Sequence, residues 1–369
     1  MKIGIDARFW GQTGVGRYIR EVVGELSKLD VKNDYTIYLL EEDFDLVVLP
    51  LNFKKVKTSI RWHTFAEQIV LPIIYLRQRF DVLLVLNFNI PILYPRTLIT
   101  TVHDLTLLRT RTGNATKLPY LIYTLKYLAG CLTHFIAVKK SKKIFTVSNH
   151  VKNDIVKTFR INPNKIIITP NAVGENFYRR SSDEVMRVLQ KHTIQPPYLF
   201  YVGNACVHKN LPRLLKSFEL VAKDSAKLTL VLGGKMDFNY KRLVQQCADL
   251  GLQDRVKFTG FISEEELPSF YSGAEFYVNP SMYEGFGIQV LEAFACGCKV
   301  ACSNTTSLPE VGGDLADYFD PMNPQNMAEV IKLALSRRDP DFAAKAAARV
   351  RLFSWKSSAQ TVLEAVQSL

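Results

Sequence analysis

Two carboxylates bracket a glycine-rich turn in Ser281-Met-Tyr-Glu284-Gly-Phe-Gly-Ile-Gln-Val-Leu-Glu292-Ala-Phe-Ala-Cys-Gly297. The segment follows an apolar run at 274–278 and enters a helical pattern near Ile288. Gly285 and Gly287 permit a tight turn with outward backbone N–H groups, to which Phe286 and Ile288 add their own amides. A helix N-terminus beneath such a turn is a ready site for a diphosphate. Glu284, just before the turn, and Glu292, in the second helical turn, cannot serve the phosphates, because like charges repel. They suit hydroxyl-rich groups on either side, a ribose at one end and a sugar at the other. That is the shape of a nucleotide-sugar.

Other polar groups stand at strand ends. In Tyr201-Val-Gly203-Asn-Ala-Cys-Val-His-Lys209-Asn-Leu-Pro, a strand passes into a helix, and Lys209 offers a point charge to a diphosphate and its leaving group. Asn204 in the same segment is a neutral donor at best, and His208 reads equally well as a surface residue. Thr101-Val-His103-Asp104 ends another strand. His103 can hydrogen-bond a sugar hydroxyl or orient an acceptor, while Asp104 can fix its tautomer or cap the next helix. Gly11-Gln-Thr-Gly14-Val-Gly16-Arg17-Tyr18 follows the first strand. It lacks the Gly-Lys-Ser/Thr ending of a nucleotide-triphosphate loop, and its Gly-x-x-Gly-x-Gly spacing departs from the dinucleotide fingerprint. Ser148, in Phe145-Thr-Val-Ser148-Asn149, is accounted for by N-capping. Cys296, Cys298 and Cys302 lack the paired spacing of a zinc site and read as small core residues. Asp43-Phe-Asp45 and Asp339-Pro-Asp341 fall in segments expected at the surface. No metal is expected.

Positioning these groups requires parallel sheets. Short apolar runs at 2–6, 35–40, 81–86, 98–102, 143–147 and 165–169, then 198–202, 227–232, 255–259, 274–278, 298–302 and 316–319, alternate with helical stretches. Near-continuous apolar strands separated by helices predict sheets covered on both faces. Two such series in 369 residues imply two Rossmann-like, doubly wound α/β domains. The join is expected between Tyr178 and Pro197, where Arg179-Arg-Ser-Ser-Asp-Glu is polar. This gives domains at 1–183 and 184–350, with a terminal helix in 351–369. Paired domains of this kind leave a cleft between the carboxyl ends of two sheets.

Composition excludes other classes. The chain is 47% hydrophobic and 22% charged, with six cysteines in no repeating framework, so disorder and a disulfide scaffold are set aside. The N-terminus reaches Asp6 before an apolar signal core can form, and a cytoplasmic setting is expected. The net charge of +12 is uneven: residues 1–180 hold 27 Lys and Arg against 14 acids, and the rest 20 against 21. An excess confined to one half suggests an anionic partner. The stretch Lys117–Val138, followed by Lys139, Lys140, Lys142 and Lys143, is long enough to span a bilayer but holds Lys126 and His134. With Tyr120, Tyr123 and Tyr127 at helical spacing, it fits a helix lying in a membrane interface or a core helix with a basic end. The aromatics lie on an apolar helix rather than among basic residues on a groove, which argues against nucleic acid.

The two glutamates, with Gly-Phe-Gly after the first and an alanine after the second, resemble the signature of the family-4 retaining glycosyltransferases of GT-B fold. Softer matches are Thr259-Gly260-Phe261-Ile262, Leu308-Pro309-Glu310-Val311 and Phe353-Ser-Trp355, so the likeness runs from about residue 3 to residue 355. The resemblance implies that Glu284 contacts donor-sugar hydroxyls and Glu292 holds the ribose. It implies that Gly203 and Lys209 lie at the diphosphate, and that Phe261 and Ile262 read the base by their backbone. His103 would stand near the reacting sugar, and Gly14, Gly16 and Arg17 would face the donor phosphate and the acceptor. The family often has an arginine after Gly203, where Asn204 stands here, and this shifts the anion's stabilisation onto Lys209 and the amides. The His103-Asp104 and His208-Lys209-Asn210 runs look most like its mannosyltransferases. The expected reaction moves a hexose, first of all mannose from GDP-mannose, with UDP-glucose, UDP-N-acetylglucosamine and dTDP-rhamnose as the open alternatives, to a glycan or lipid-linked acceptor in envelope polysaccharide synthesis. It is expected to need no metal or other cofactor and to take place at the inner face of the plasma membrane. The alternatives are a non-catalytic nucleotide-sugar-binding protein of the same fold and a nucleotide-dependent oxidoreductase.

Overall fold

The computed structural model describes residues 1–109 and 120–369. The first three residues, 117–119, of the stretch Lys117–Val138 lie outside the described residues. The chain divides into two compact units.

The first unit comprises residues 1–109, 120–171 and 354–369. Its strands are β1 (Lys2–Asp6), β2 (Asp34–Leu40), β3 (Phe53–Thr58), β4 (Val82–Val85), β5 (Leu98–Val102), β6 (Lys143–Thr146) and β7 (Ile166–Ile168). They form one sheet of order β3-β2-β1-β4-β5-β6-β7, every pair parallel. The winding reverses between β1 and β4, which is where open α/β sheets take ligands. β3 was not anticipated. Its sequence Phe-Lys-Lys-Val-Lys-Thr hides the alternation because it is an edge strand, where lysines discourage pairing with another chain.

The second unit spans Ala172–Phe353 among the described residues. Strands β8 (Tyr198–Val202), β9 (Thr229–Gly233), β10 (Val256–Gly260), β11 (Phe276–Asn279), β12 (Lys299–Ser303) and β13 (Asp317–Phe319) form a parallel sheet of order β10-β9-β8-β11-β12-β13. Here the reversal lies between β8 and β11. The twelve expected strands all lie within about two residues of those observed, because buried parallel strands read as unbroken apolar runs. Leu214 and Phe218 of the helix Leu211–Asp224 meet Leu232, Val278 and Met327 in a fully buried core.

The polar run expected to link the domains begins a helix instead. Ser181 accepts from the Glu184 amide, and the Glu184 carboxylate accepts from the Ser181 amide, a capping box that opens the helix Ser182–Lys191. The second unit therefore starts upstream of that run, not at 184. At the other end, the helix Trp355–Gln367 belongs to the first unit. Lys143 Nζ donates to the Ala365 carbonyl (2.9 Å), Ser358 donates to the Pro170 carbonyl (2.7 Å), and Trp355 packs edge-on against Tyr18.

Candidate active site

The second unit carries its expected residues at the carboxyl edge of the sheet, after β8, β10 and β11. Lys209 Nζ donates to Glu284 Oε1 at 2.7 Å, and the two side chains are 14% and 11% exposed. The pair thus joins the loops on either side of the topological reversal. Ser281 Oγ donates to the same carboxylate oxygen at 2.8 Å. Burial alone would raise the Glu284 carboxyl, but the charge of Lys209 and the hydrogen bonds from Lys209 and Ser281 outweigh it and hold the group below its ordinary range. Glu284 is a carboxylate at neutral pH.

The loops carrying this pair are anchored from several sides. Buried Asn210, with φ of 60°, donates its side-chain amide to the Pro280 (2.9 Å) and Pro321 (2.7 Å) carbonyls. The Met282 amide donates to the His208 carbonyl at 2.8 Å. On the β12 side, the Glu284 amide donates to Thr306 Oγ1 (3.2 Å) and Ser307 Oγ donates to the Glu284 carbonyl (3.0 Å). Thr306 has φ of 59°, an unusual setting for a β-branched residue. Ser281, Thr306 and Ser307 were not anticipated. Ser281 had a signal, three residues before the acid, whereas the serine and threonine after β12 gain their roles only through strand order.

Downstream, Gly287 adopts φ of 86° as N-cap of the helix Ile288–Ala295. The Val290 amide donates to the Gly287 carbonyl (3.0 Å), and a glycine cap carries no side chain to cover the two amides before it, Ile288 and Gln289, where an anion can bind. Phe286 is buried and meets Phe353 edge-on, so it anchors the turn rather than contacting ligand by its ring. Glu292 is only 2% exposed, and its Oε2 accepts from the Tyr271 hydroxyl at 2.9 Å. Gly203 directly follows β8 with its carbonyl held by Tyr240 (2.9 Å), and a Cβ there would lie 2.7 Å from the Tyr201 hydroxyl. Asn204 turns its side-chain oxygen to the Cys206 amide at 3.2 Å, forming a local turn. After β10, Phe261 is 75% exposed while Ile262 is buried against Gly233. Cys296, Cys298 and Cys302 are buried and their thiols pushed up by that burial. Among the described residues, no three His, Cys, Asp or Glu side chains are grouped as metal ligands.

In the first unit, His103 follows β5, its Nε2 3.0 Å from the Leu86 carbonyl and its ring edge-on to Tyr18 at 4.8 Å. A carbonyl only accepts, so Nε2 carries the hydrogen and Nδ1 is the acceptor nitrogen of the neutral ring. Burial lowers the imidazole's proton affinity, with Leu86 and Asp104 opposing it only in part, so the ring is neutral at pH 7. Asp104 does not set this tautomer; its Oδ1 accepts from the Thr106 amide at 2.7 Å at the start of the next helical turn. Gly14 is exposed and opens the helix Gly14–Leu29, with half-buried Arg17 in its first turn. Gly16 is buried, and only glycine fits there because a Cβ would lie 2.5 Å from the Trp10 carbonyl oxygen. Asp43, expected at the surface, is buried and accepts from the Gly11 amide, bracing the same glycine turn.

Residues 12–176 match the profile of Glycosyltransferase Family 4, and residues 185–351 that of Glycosyl transferases group 1. O-antigen chain mannosyltransferase B of Escherichia coli is 30% identical over 240 residues, 63% of this chain and 62% of that protein. O-antigen chain mannosyltransferase RfbU of Salmonella typhimurium is 31% identical over 236 residues, 63% of each chain. The matched region thus spans less than two thirds of either relative. Sucrose-phosphate synthase from Thermosynechococcus elongatus superposes with a TM-score of 0.78 at 16% identity, over 100% of this chain and 98% of that one. That likeness shows the fold, GT-B.

Proposed function

The chain belongs to glycosyltransferase family 4, and from that premise we propose that it transfers a hexose from a nucleotide-diphosphate sugar to a glycan or lipid-linked acceptor in envelope polysaccharide synthesis. Mannose from GDP-mannose is the first donor, a reading supported by the two O-antigen mannosyltransferase relatives. The observation that carries the proposal is the Lys209–Glu284 pair at the reversal of the second sheet, where an ammonium and an ionised carboxylate share one anchored corner.

The second unit takes the donor and the first the acceptor. Lys209 has three N–H donors, so it can keep one on Glu284 and turn the others to a diphosphate. Charge grows on that diphosphate as the glycosidic bond breaks, and a positioned cation stabilises it without a metal. Glu284 holds sugar hydroxyls and steadies the positive charge developing at the anomeric carbon. The acceptor oxygen bonds to the anomeric carbon on the face the diphosphate leaves, and the departing diphosphate takes the acceptor's proton. Configuration is retained and no enzymic base is required. Neutral His103, with Nδ1 as acceptor, is suited to receive a hydroxyl's hydrogen bond rather than to abstract a proton.

Thermal shifts across GDP-, UDP- and dTDP-sugars, followed by proton NMR of the product, test the reading. GDP-mannose should raise the melting temperature most, and the product's anomeric signal should match the donor's configuration. An inverted product, or stabilisation by a nicotinamide dinucleotide instead, would overturn it.

The first unit further supports docking to an anionic membrane from the cytoplasmic side. The helix Tyr120–Lys140 is long and apolar enough to cross a bilayer, yet only 17% of its apolar window is buried. An ordinary core helix would be mostly covered. Leu121, Leu125, Leu128, Leu132 and Phe135 are exposed along it, as are Lys126, Lys139 and nearby Lys142. Lys126 in mid-helix is costly in a span but suited to a helix lying in the interface. The protein should float with phosphatidylglycerol vesicles at low salt, lose that association as salt rises, and lose most of it in Leu125→Glu/Leu128→Glu. Equal, salt-insensitive flotation on phosphatidylcholine would count against the proposal.

A further inference from the structure

A buried ionic group lies at the carboxyl edge of the first sheet, outside the residues assigned above. Asp6, Arg8 and Glu67 are all fully buried. Arg8 donates through Nε and Nη2 to the Asp6 carboxylate at 2.9 and 2.8 Å, and through Nη2 to Glu67 Oε1 at 2.7 Å. Its Nη1 reaches the Ile60 carbonyl at 3.1 Å. Glu67 Oε1 also accepts from Asn89 Nδ2 (2.5 Å), and Oε2 accepts from the His63 amide (2.8 Å). Desolvating three charges costs more than their attraction commonly returns, so such a group is weak as a source of stability. What it does here is tie together the ends of β1 and the loops after β3 and β4, at the edge where parallel sheets take ligands.

Those loops present an aromatic pair. Phe9 and Trp62 stack with ring centroids 4.4 Å apart and planes at 28°, and both are half-buried. Beside them His63 is exposed and held at φ of 60°, its amide fixed by Glu67. A stacked pair serving only the core is covered, as Tyr35 and Phe53 are in the same unit, at 2% and 5% exposure. A partly exposed aromatic pair followed directly in the chain by an exposed histidine suits a pyranose. The sugar's C–H face packs on the apolar ring while its hydroxyls reach the polar side chain.

We propose that Phe9, Trp62 and His63 form the platform for the acceptor's pyranose ring, with the Asp6–Arg8–Glu67 group as its positioning support. The proposal rests on the transferase reading above. The test uses the full chain labelled with 5-fluorotryptophan, whose three fluorine resonances come from Trp10, Trp62 and Trp355. Trp62→Phe assigns the signal. Titration with α-mannobiose should shift the Trp62 resonance saturably and leave that of Trp355 in place. In transfer assays, Trp62→Ala should raise the acceptor KM by about 10-fold, a stacked ring's contribution, with the donor KM unchanged and Trp62→Phe close to the parent. A Trp62 resonance that ignores the disaccharide, or a donor KM that rises with the acceptor KM, overturns the platform. Absence of transfer by the unmodified enzyme from every donor defeats the transferase reading instead, and the fluorine titration, which needs no turnover, separates the two failures.

Discussion

Glu284→Ala should lower turnover by about three orders of magnitude, with the donor KM changing far less. The asymmetry follows from when the charge exists. Positive character at the anomeric carbon develops only on the way to the transition state, so an anion beside it lowers the barrier without tightening donor binding to the same degree. Glu284→Gln keeps an oxygen for Ser281 and Lys209 but not the charge, and should fall between the parent and alanine. Thermal unfolding should show that the alanine variant is folded, since the ammonium left behind at Lys209 rides on a flexible four-carbon stem that can carry it to water, which the shorter Glu284 side chain lacks. Near-normal single-turnover rates in purified Glu284→Ala would remove the pair from the chemistry.

Legibility in the sequence followed covering. The central parallel strands announced themselves because both faces are buried, as at Leu230, Val231 and Leu232, each 0% exposed. β3 failed the same test because its three lysines break the apolar run, whereas the opposite edge strand of that sheet, β7, is Ile-Ile-Ile. The helix Ser182–Lys191 was missed since a capping box is built from the residue types that also make linkers, and only the spacing of Ser181 to Glu184 distinguishes them. At the site, Glu284 and Lys209 could be named in advance, but their 2.7 Å contact joins positions 75 residues apart. That pairing depends on β8 and β11 being neighbours, and nothing in a linear pattern states it. For Asp104 the two readings open in the sequence were decided by the Leu86 carbonyl, which took the histidine's N–H and left Asp104 to the Thr106 amide. Phe9 and Trp62, stacked across loops from β1 and β3, could not be paired without the unrecognised strand.

Lys209→Ala should lower turnover by about three orders of magnitude as well, but unlike Glu284→Ala it should destabilise the fold, because it strands a carboxylate that is 11% exposed. The sign of its pH dependence distinguishes the two roles. In the parent the Glu284 carboxyl is held below its unfolded value, so its contribution to stability is full above the unfolded pKa and is lost as pH falls through the folded one. Without the ammonium, only the Ser281 hydrogen bond and the charge of His208 still oppose burial, and the carboxyl shifts upward. A raised acid binds its proton more tightly in the folded state, so the variant's deficit in melting temperature should be greatest at neutral pH and shrink under acid. Lys209→Ala/Glu284→Gln removes the stranded charge and should recover most of the melting temperature at pH 7 while recovering no activity. If its turnover instead equals that of Glu284→Gln alone, the lysine's work is confined to holding its partner, and the diphosphate's charge is met by the amides at Gly285–Ile288.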